Sequence, residues 1–148
     1  DLPPEEARGC AAALAARGVR RIVLIAPTTP PERARRIARQ ARGFVYCVSR
    51  TGVTGEGGAL DPGLAARVRA LKCVARAPVA VGFGISTPAQ VAATARAADA
   101  VVVGSALVRE IERGGAPADL IGRVGAKARR LSAPLRRGGI RAAGKQGG

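Results

Sequence analysis

Four short apolar runs, at 21–26, 44–48, 78–81 and 100–103, recur along the chain, each bounded by glycine or proline. Runs of four to six apolar residues without alternation are what strands buried on both faces look like. Between them lie alanine- and arginine-rich stretches with helical spacing at 31–41, 62–74 and 88–97, each with a proline near its start, where a missing N–H costs nothing. Further helices are expected at 4–16 and 117–131. Strand and helix alternating every twenty to thirty residues (roughly) is the pattern of a parallel sheet with crossover helices. A closed (β/α) barrel needs eight such units in about 250 residues. Four units in 148 residues therefore predict an α/β fold that is the C-terminal half of a TIM-type barrel, over 1–131. The segment 132–148, rich in Gly and Arg and poor in apolar side chains, reads as a flexible, disordered basic tail.

Composition narrows the chemistry. With 47% apolar residues the chain can build a packed core. Its net charge of +15 is concentrated at the end, where 123–148 holds eight basic side chains and no acidic one. No apolar run approaches the roughly 20 residues of a membrane span, and no charged-then-apolar leader opens the chain, so a soluble, cytoplasmic protein is expected. There is no histidine, which excludes Ser-His-Asp and Cys-His nucleophile systems within this chain. Cys10, Cys47 and Cys73 are odd in number and widely spaced, supporting neither a zinc cage nor a disulfide framework; they are expected to be reduced, buried small residues. None of the three lysines, Lys72, Lys127 and Lys145, lies in an apolar run, which argues against a Schiff-base enzyme. Methionine is absent and the first residue is Asp1, so the chain is expected to be processed or incomplete at its N-terminus.

In parallel α/β folds the site forms where strands end, and three of those places are rich in glycine. The stretch 49–58 after the second run has the composition of a loop able to close over a substrate. Gly82-Phe83-Gly84-Ile85-Ser86 follows the third run, and Gly84 lets backbone N–H groups approach an anion. Val103-Gly104-Ser105-Ala106 runs directly from a strand into a helix start. Consecutive final strands that both end in glycine point to a phosphate held by N–H groups and helix dipoles. Acid–base groups are scarcer. Asp99 precedes the last run, on the stability face, and Asp61 reads as a helix N-cap before Pro62. Glu56 is a lone loop carboxylate, and the Tyr46 phenol could meet a substrate or fill the barrel.

The segments Asp1-Leu2-Pro3-Pro4-Glu5-Glu6, 46–55, Gly82 to Ser86 and Gly104-Ser105-Ala106 occur in the order in which they resemble the tryptophan synthase α chain family, over residues 1 to about 131. Val48 stands before Ser49 where the family pattern has leucine. The resemblance implies a (β/α) barrel that cleaves indole-3-glycerol phosphate to indole and glyceraldehyde 3-phosphate in tryptophan biosynthesis. It implies that Gly55, Gly84, Gly104 and Ser105 contact the substrate phosphate, and that Phe83 and Val102 line the indole pocket of the substrate site, with Tyr46 beside the substrate. Arg50 and Thr54 lie on the stretch that in the family closes over the site, Thr54 coupling closure to a catalytic carboxylate. It implies a β chain as partner, in an αββα assembly. Pyridoxal phosphate belongs to that partner, so no cofactor is assigned here. The family's catalytic glutamate and aspartate come from the second strand and the loop after it, upstream of the Asp-Leu-Pro segment, and neither can be matched in this chain. No catalytic residue is assigned, and this chain alone is expected to be inactive, with an exposed apolar sheet edge.

Two other readings compete. One is a noncatalytic half-barrel that binds a phosphorylated metabolite and dimerises to close its sheet. The other is nucleic-acid binding through 123–145. With only Phe44, Phe83 and Tyr46 as aromatics there is no stacking platform, so nucleic acid is not expected as a partner.

Overall fold

The computed structural model describes residues 3, 6–49 and 60–137. The element order is α1 (Arg8–Ala16), β1 (Val23–Ile25), α2 (Pro31–Gln40), β2 (Val45–Val48), α3 (Leu64–Lys72), β3 (Val79–Gly82), α4 (Pro88–Ala95), β4 (Ala100–Val101), α5 (Ser105–Glu112) and α6 (Pro117–Arg137). The strands form one sheet in the order β1-β2-β3-β4, every pair parallel. Sequential strands become neighbours because each crossover is a single helix returning the chain to the same end of the sheet.

The period of two along each strand divides the sheet into two faces. Val23, Val45 and Val79 stand in one row and Ile25, Cys47 and Val81 in another. Both rows are buried against Ile37 and Ala38 of α2, Leu64, Val68 and Leu71 of α3 and Val91 of α4. These residues form the core. α2 places Ala34, Ile37 and Ala38 on that side and its arginines mostly on the other, the three-to-four residue spacing of a one-sided helix. The opposite row, Leu24, Tyr46, Ala80 and Ala100, faces the inside of the curved sheet.

The expectation of burial on both faces holds for β3, every residue of which is buried. It fails at the edges. Leu24 of β1 is 55% exposed and Ala100 of β4 is exposed, because among the described residues each of these strands has a paired neighbour on one side only. The cysteines also divide: Cys47 is buried in β2, whereas Cys10 on α1 and Cys73 just past α3 are exposed and free, since neither lies on a core-facing position. The first helix begins at Arg8, with Glu6 in a turn. The last helix runs on to Arg137, so helix replaces the expected disorder over 132–137. Leu131 and Leu135, one turn apart, both pack on the core and hold the extra turns despite Pro134 inside the helix. Residues 138–148 of the expected tail lie outside the described residues.

Asp99 stabilises the lower end of the sheet. Its carboxylate accepts from the Val79 N–H at 2.9 Å and pairs with the Lys72 ammonium at 2.5 Å. Partial burial opposes its ionisation, but the Lys72 hydrogen bond, the Val79 N–H and the Lys72 charge outweigh that and hold the carboxyl below its ordinary 3.8. The unfolded chain therefore binds this proton more readily. The stabilisation is complete above the ordinary value and is lost as pH falls through the lower folded value. Urea unfolding midpoints are expected to drop as pH falls below about 4, and Asp99→Asn should flatten that part of the profile.

Candidate functional site at the strand C-termini

The upper ends of β2, β3 and β4 are joined by a small set of contacts. The Ser49 N–H, just past β2, donates to the Gly82 carbonyl at 2.9 Å, and its hydroxyl donates to the Phe83 carbonyl. Ser49 is fully buried, so both bonds form away from water, where leaving a group unpaired is costly. They anchor a turn in which Phe83 has φ +87° and Gly84 φ +71°. A left-handed conformation is uncommon for phenylalanine, and the buried serine clamps the residue that adopts it. Phe83 is 41% exposed beside this turn.

Directly below, glycine at position 82 makes room for a phenol. A Cβ built there would stand 2.2 Å from the Tyr46 Oη and 3.0 Å from the Val102 Cβ. Tyr46, Gly82 and Val102 thus meet on the inner face, with the Tyr46 ring leaning from β2 across β3. Partial burial raises the Tyr46 pKa, so the phenol is protonated at neutral pH and can both donate and accept.

Two helices start above the same strand ends, and they differ. The N-terminus of α4 is occupied by its own side chains: Thr87 accepts from the Gln90 N–H, and the Gln90 side chain accepts from the N–H groups of Ser86 and Thr87. This reciprocal capping box satisfies the N–H groups of Thr87 and Gln90, and Pro88 has none to satisfy. The N-terminus of α5 has glycine, Gly104, at its cap and no side-chain hydrogen bond there. The Gly104 carbonyl accepts from Leu107 and Val108, so that among the described residues the N–H groups of Ser105 and Ala106 are the donors of the first turn without a partner. Since β3 and β4 are neighbours, this terminus stands beside the Phe83-Gly84 turn.

Of the residues singled out by sequence, Tyr46 and Val102 meet over Gly82, Phe83 and Gly84 form the turn above them, and Gly104 with Ser105 opens α5. Arg50, Thr54, Gly55 and Glu56 lie outside the described residues. Asp61 is not an N-cap: α3 starts at Leu64 behind Gly63. Its carboxylate accepts instead from the Gly63 N–H at 2.8 Å and pairs with Arg67 at 2.8 Å, which together hold it below the usual carboxylate range. Cys47 lies on the helix-facing side of β2, and burial raises its thiol pKa, the Arg67 guanidinium opposing. Sequence reasoning passed over Ser49. A serine at the end of an apolar run was its only signal. Among the described residues no group of three or more His, Cys, Asp or Glu could hold a metal ion, and no helix is long and apolar enough to cross a membrane.

The family model for the tryptophan synthase alpha chain matches residues 1–133. The chain belongs to the tryptophan synthase alpha chain family. Alpha chains from Geobacter sulfurreducens and from Caulobacter sp. strain K31 are 50% and 54% identical to it over 113 and 112 residues, each match covering 76% of this chain and 43% and 41% of the relative. A solved tryptophan synthase from Mycobacterium tuberculosis superposes with a TM-score of 0.77 at 39% identity, covering 92% of this chain and 49% of that one. A mutant alpha-subunit from Pyrococcus furiosus gives 0.74 at 34% identity, over 90% and 52%. The chain therefore spans less than half the length of these curated relatives, and its four parallel strands are one part of the family's (β/α) barrel, as the strand count led one to expect.

Proposed function

We infer that this chain is the phosphate-binding half of a tryptophan synthase α-type lyase site, for indole-3-glycerol phosphate. The observation that carries the reading is the uncapped N-terminus of α5 beside the Phe83-Gly84 turn, next to an α4 terminus that is already filled. An exposed helix start with free N–H groups and a positive dipole end favours a dianion. In this reading the Ser105 hydroxyl and the N–H groups at Gly84, Gly104 and Ser105 take the phosphate, with Gly55 joining them. Phe83, Val102 and Tyr46 line the indole side, and Arg50 and Thr54 belong to the stretch that closes over it. Aldol cleavage protonates the indole ring at C3, removes a proton from the glycerol hydroxyl, and breaks the bond between them to release indole and glyceraldehyde 3-phosphate. The two groups that move those protons are the glutamate and aspartate that have no counterpart in this sequence, so the chain binds without cleaving. A tryptophan synthase β chain is the protein partner of the completed barrel.

Joining this chain behind the first half of a curated family member tests the reading. The joined barrel is expected to release indole from indole-3-glycerol phosphate, faster with a β chain present. A joined barrel that folds and binds phosphate but releases no indole would overturn it.

A further inference from the structure

We propose that Ser49 is the positioning residue of the phosphate site: it holds the backbone on either side of Phe83 so that the Gly84 N–H is turned toward the start of α5. This assignment rests on the phosphate reading above and adds the group that sets the turn. Each peptide unit is planar, so a residue's dihedrals are fixed once the planes before and after it are held. The plane before Phe83 carries the Gly82 carbonyl, which accepts from the Ser49 N–H at 2.9 Å. The plane after it carries the Phe83 carbonyl, which accepts from the Ser49 hydroxyl. One fully buried residue therefore holds both planes, and Phe83 sits between them at φ +87°. Extending the ladder past the Val48 and Gly82 pair needs only the Ser49 N–H. The hydroxyl is a further polar group taken out of water, which is costly unless it is bonded, and it bonds the carbonyl of the left-handed residue. A backbone conformation of that kind persists only where its surroundings over-determine it.

The strand order supplies the direction. In a trans peptide unit the carbonyl and the N–H point to opposite sides, and among the described residues no peptide bond is cis. Ser49 draws the Phe83 carbonyl toward β2, so the Gly84 N–H of the same unit points away from β2, to the β4 side of β3. On that side Gly104 and Ser105 open α5, with no side-chain hydrogen bond at its cap. Beyond the turn, Ile85 is buried in the core and the Ser86 N–H donates to the Gln90 side chain. The turn is thus anchored at both ends, and the unit joining Phe83 to Gly84 is the part whose orientation the serine hydroxyl decides. Without that hydroxyl the unit is free to rotate, because phenylalanine favours negative φ, and rotation carries the Gly84 N–H away from the anion.

Calorimetric titration of inorganic phosphate into the 148-residue chain separates this role from a merely structural one. Ser49→Ala, checked for folding by circular dichroism, is expected to bind phosphate about tenfold more weakly, the factor by which a released phenylalanine disfavours the left-handed region. In a Phe83→Gly background the same substitution should cost less than about threefold, since glycine takes positive φ about as readily as negative. A serine that only supports the fold would give the same change in both backgrounds. Ser49→Cys, similar in size but a weaker donor, should fall between serine and alanine, and it carries the comparison if the alanine variant does not fold. A folded variant lacking the hydroxyl that binds phosphate as tightly as the parent, or equal losses in the two backgrounds, would overturn the proposal while the phosphate reading stands. A parent chain that binds no phosphate would overturn that reading, and this proposal with it.

Discussion

Gly104→Val is expected to weaken binding of inorganic phosphate at least about tenfold, a change of about 1.4 kcal/mol, while leaving the sheet folded. A Cβ at position 104 meets nothing within 4 Å, while the backbone there, φ −118° and ψ −75°, lies at the margin of the helical region, where a β-branched residue carries some local strain. The side chain therefore has room, and its cost is confined to the local backbone. The branched side chain stands instead over the N–H groups of Ser105 and Ala106, in the space the anion needs. Losing a small cap residue costs α5 some stability too, which circular dichroism and a urea titration separate from the loss of affinity. Calorimetric titration with phosphate is the readout. Unchanged affinity in a folded variant would place the anion elsewhere. The matching substitution at the α4 terminus, Thr87→Ala, removes a cap that is already internal, so it should lower stability and leave phosphate affinity within about twofold.

The second large effect is steric. Gly82→Ala puts a carbon 2.2 Å from the Tyr46 Oη and 2.7 Å from its Cζ, so the phenol must swing off β3. The ring is the flexible end of a side chain, and the expected cost is that of overpacking, about 1–3 kcal/mol. Tyr46 is the sole tyrosine and the chain has no tryptophan, so intrinsic fluorescence reports this one ring, which should become more accessible to an aqueous quencher. Placing Gly82→Ala in a Tyr46→Ala background should recover most of the lost stability, giving a coupling energy of about 1 kcal/mol or more in a double-mutant cycle. Additive losses, with fluorescence unchanged, would mean that the ring does not pack on the glycine.

How much of this was readable beforehand differs by residue, for physical reasons. Pro31 and Pro88 mark the first turns of α2 and α4 because a fixed φ and a missing N–H suit that position and few others. Gly104-Ser105 was legible as a strand passing into a helix, since glycine there is a local demand of the backbone. Leu24 was not: Val-Leu-Ile reads the same on a central strand as on an edge, and its exposure depends on which strands lie beside it. Ser49 was hidden for a similar reason, because a serine after an apolar run looks like loop until its partners, at Gly82 and Phe83, are known. The left-handed Phe83 was equally silent, as nothing in a phenylalanine announces a positive φ. The end of the last helix was equally hidden, because a stretch rich in Gly and Arg and poor in apolar side chains reads as tail. The Leu131–Leu135 stripe packs on the core and carries the helix to Arg137, past Pro134.

Titrating indole-3-glycerol phosphate into the chain by calorimetry, while following indole in the same samples, tests the central claim most directly. The account predicts saturable binding that inorganic phosphate competes away, with no indole released. Absence of binding would remove the phosphate half-site, and release of indole would mean that the proton-transferring groups lie within these 148 residues, contradicting the assignment of cleavage to residues this chain does not carry.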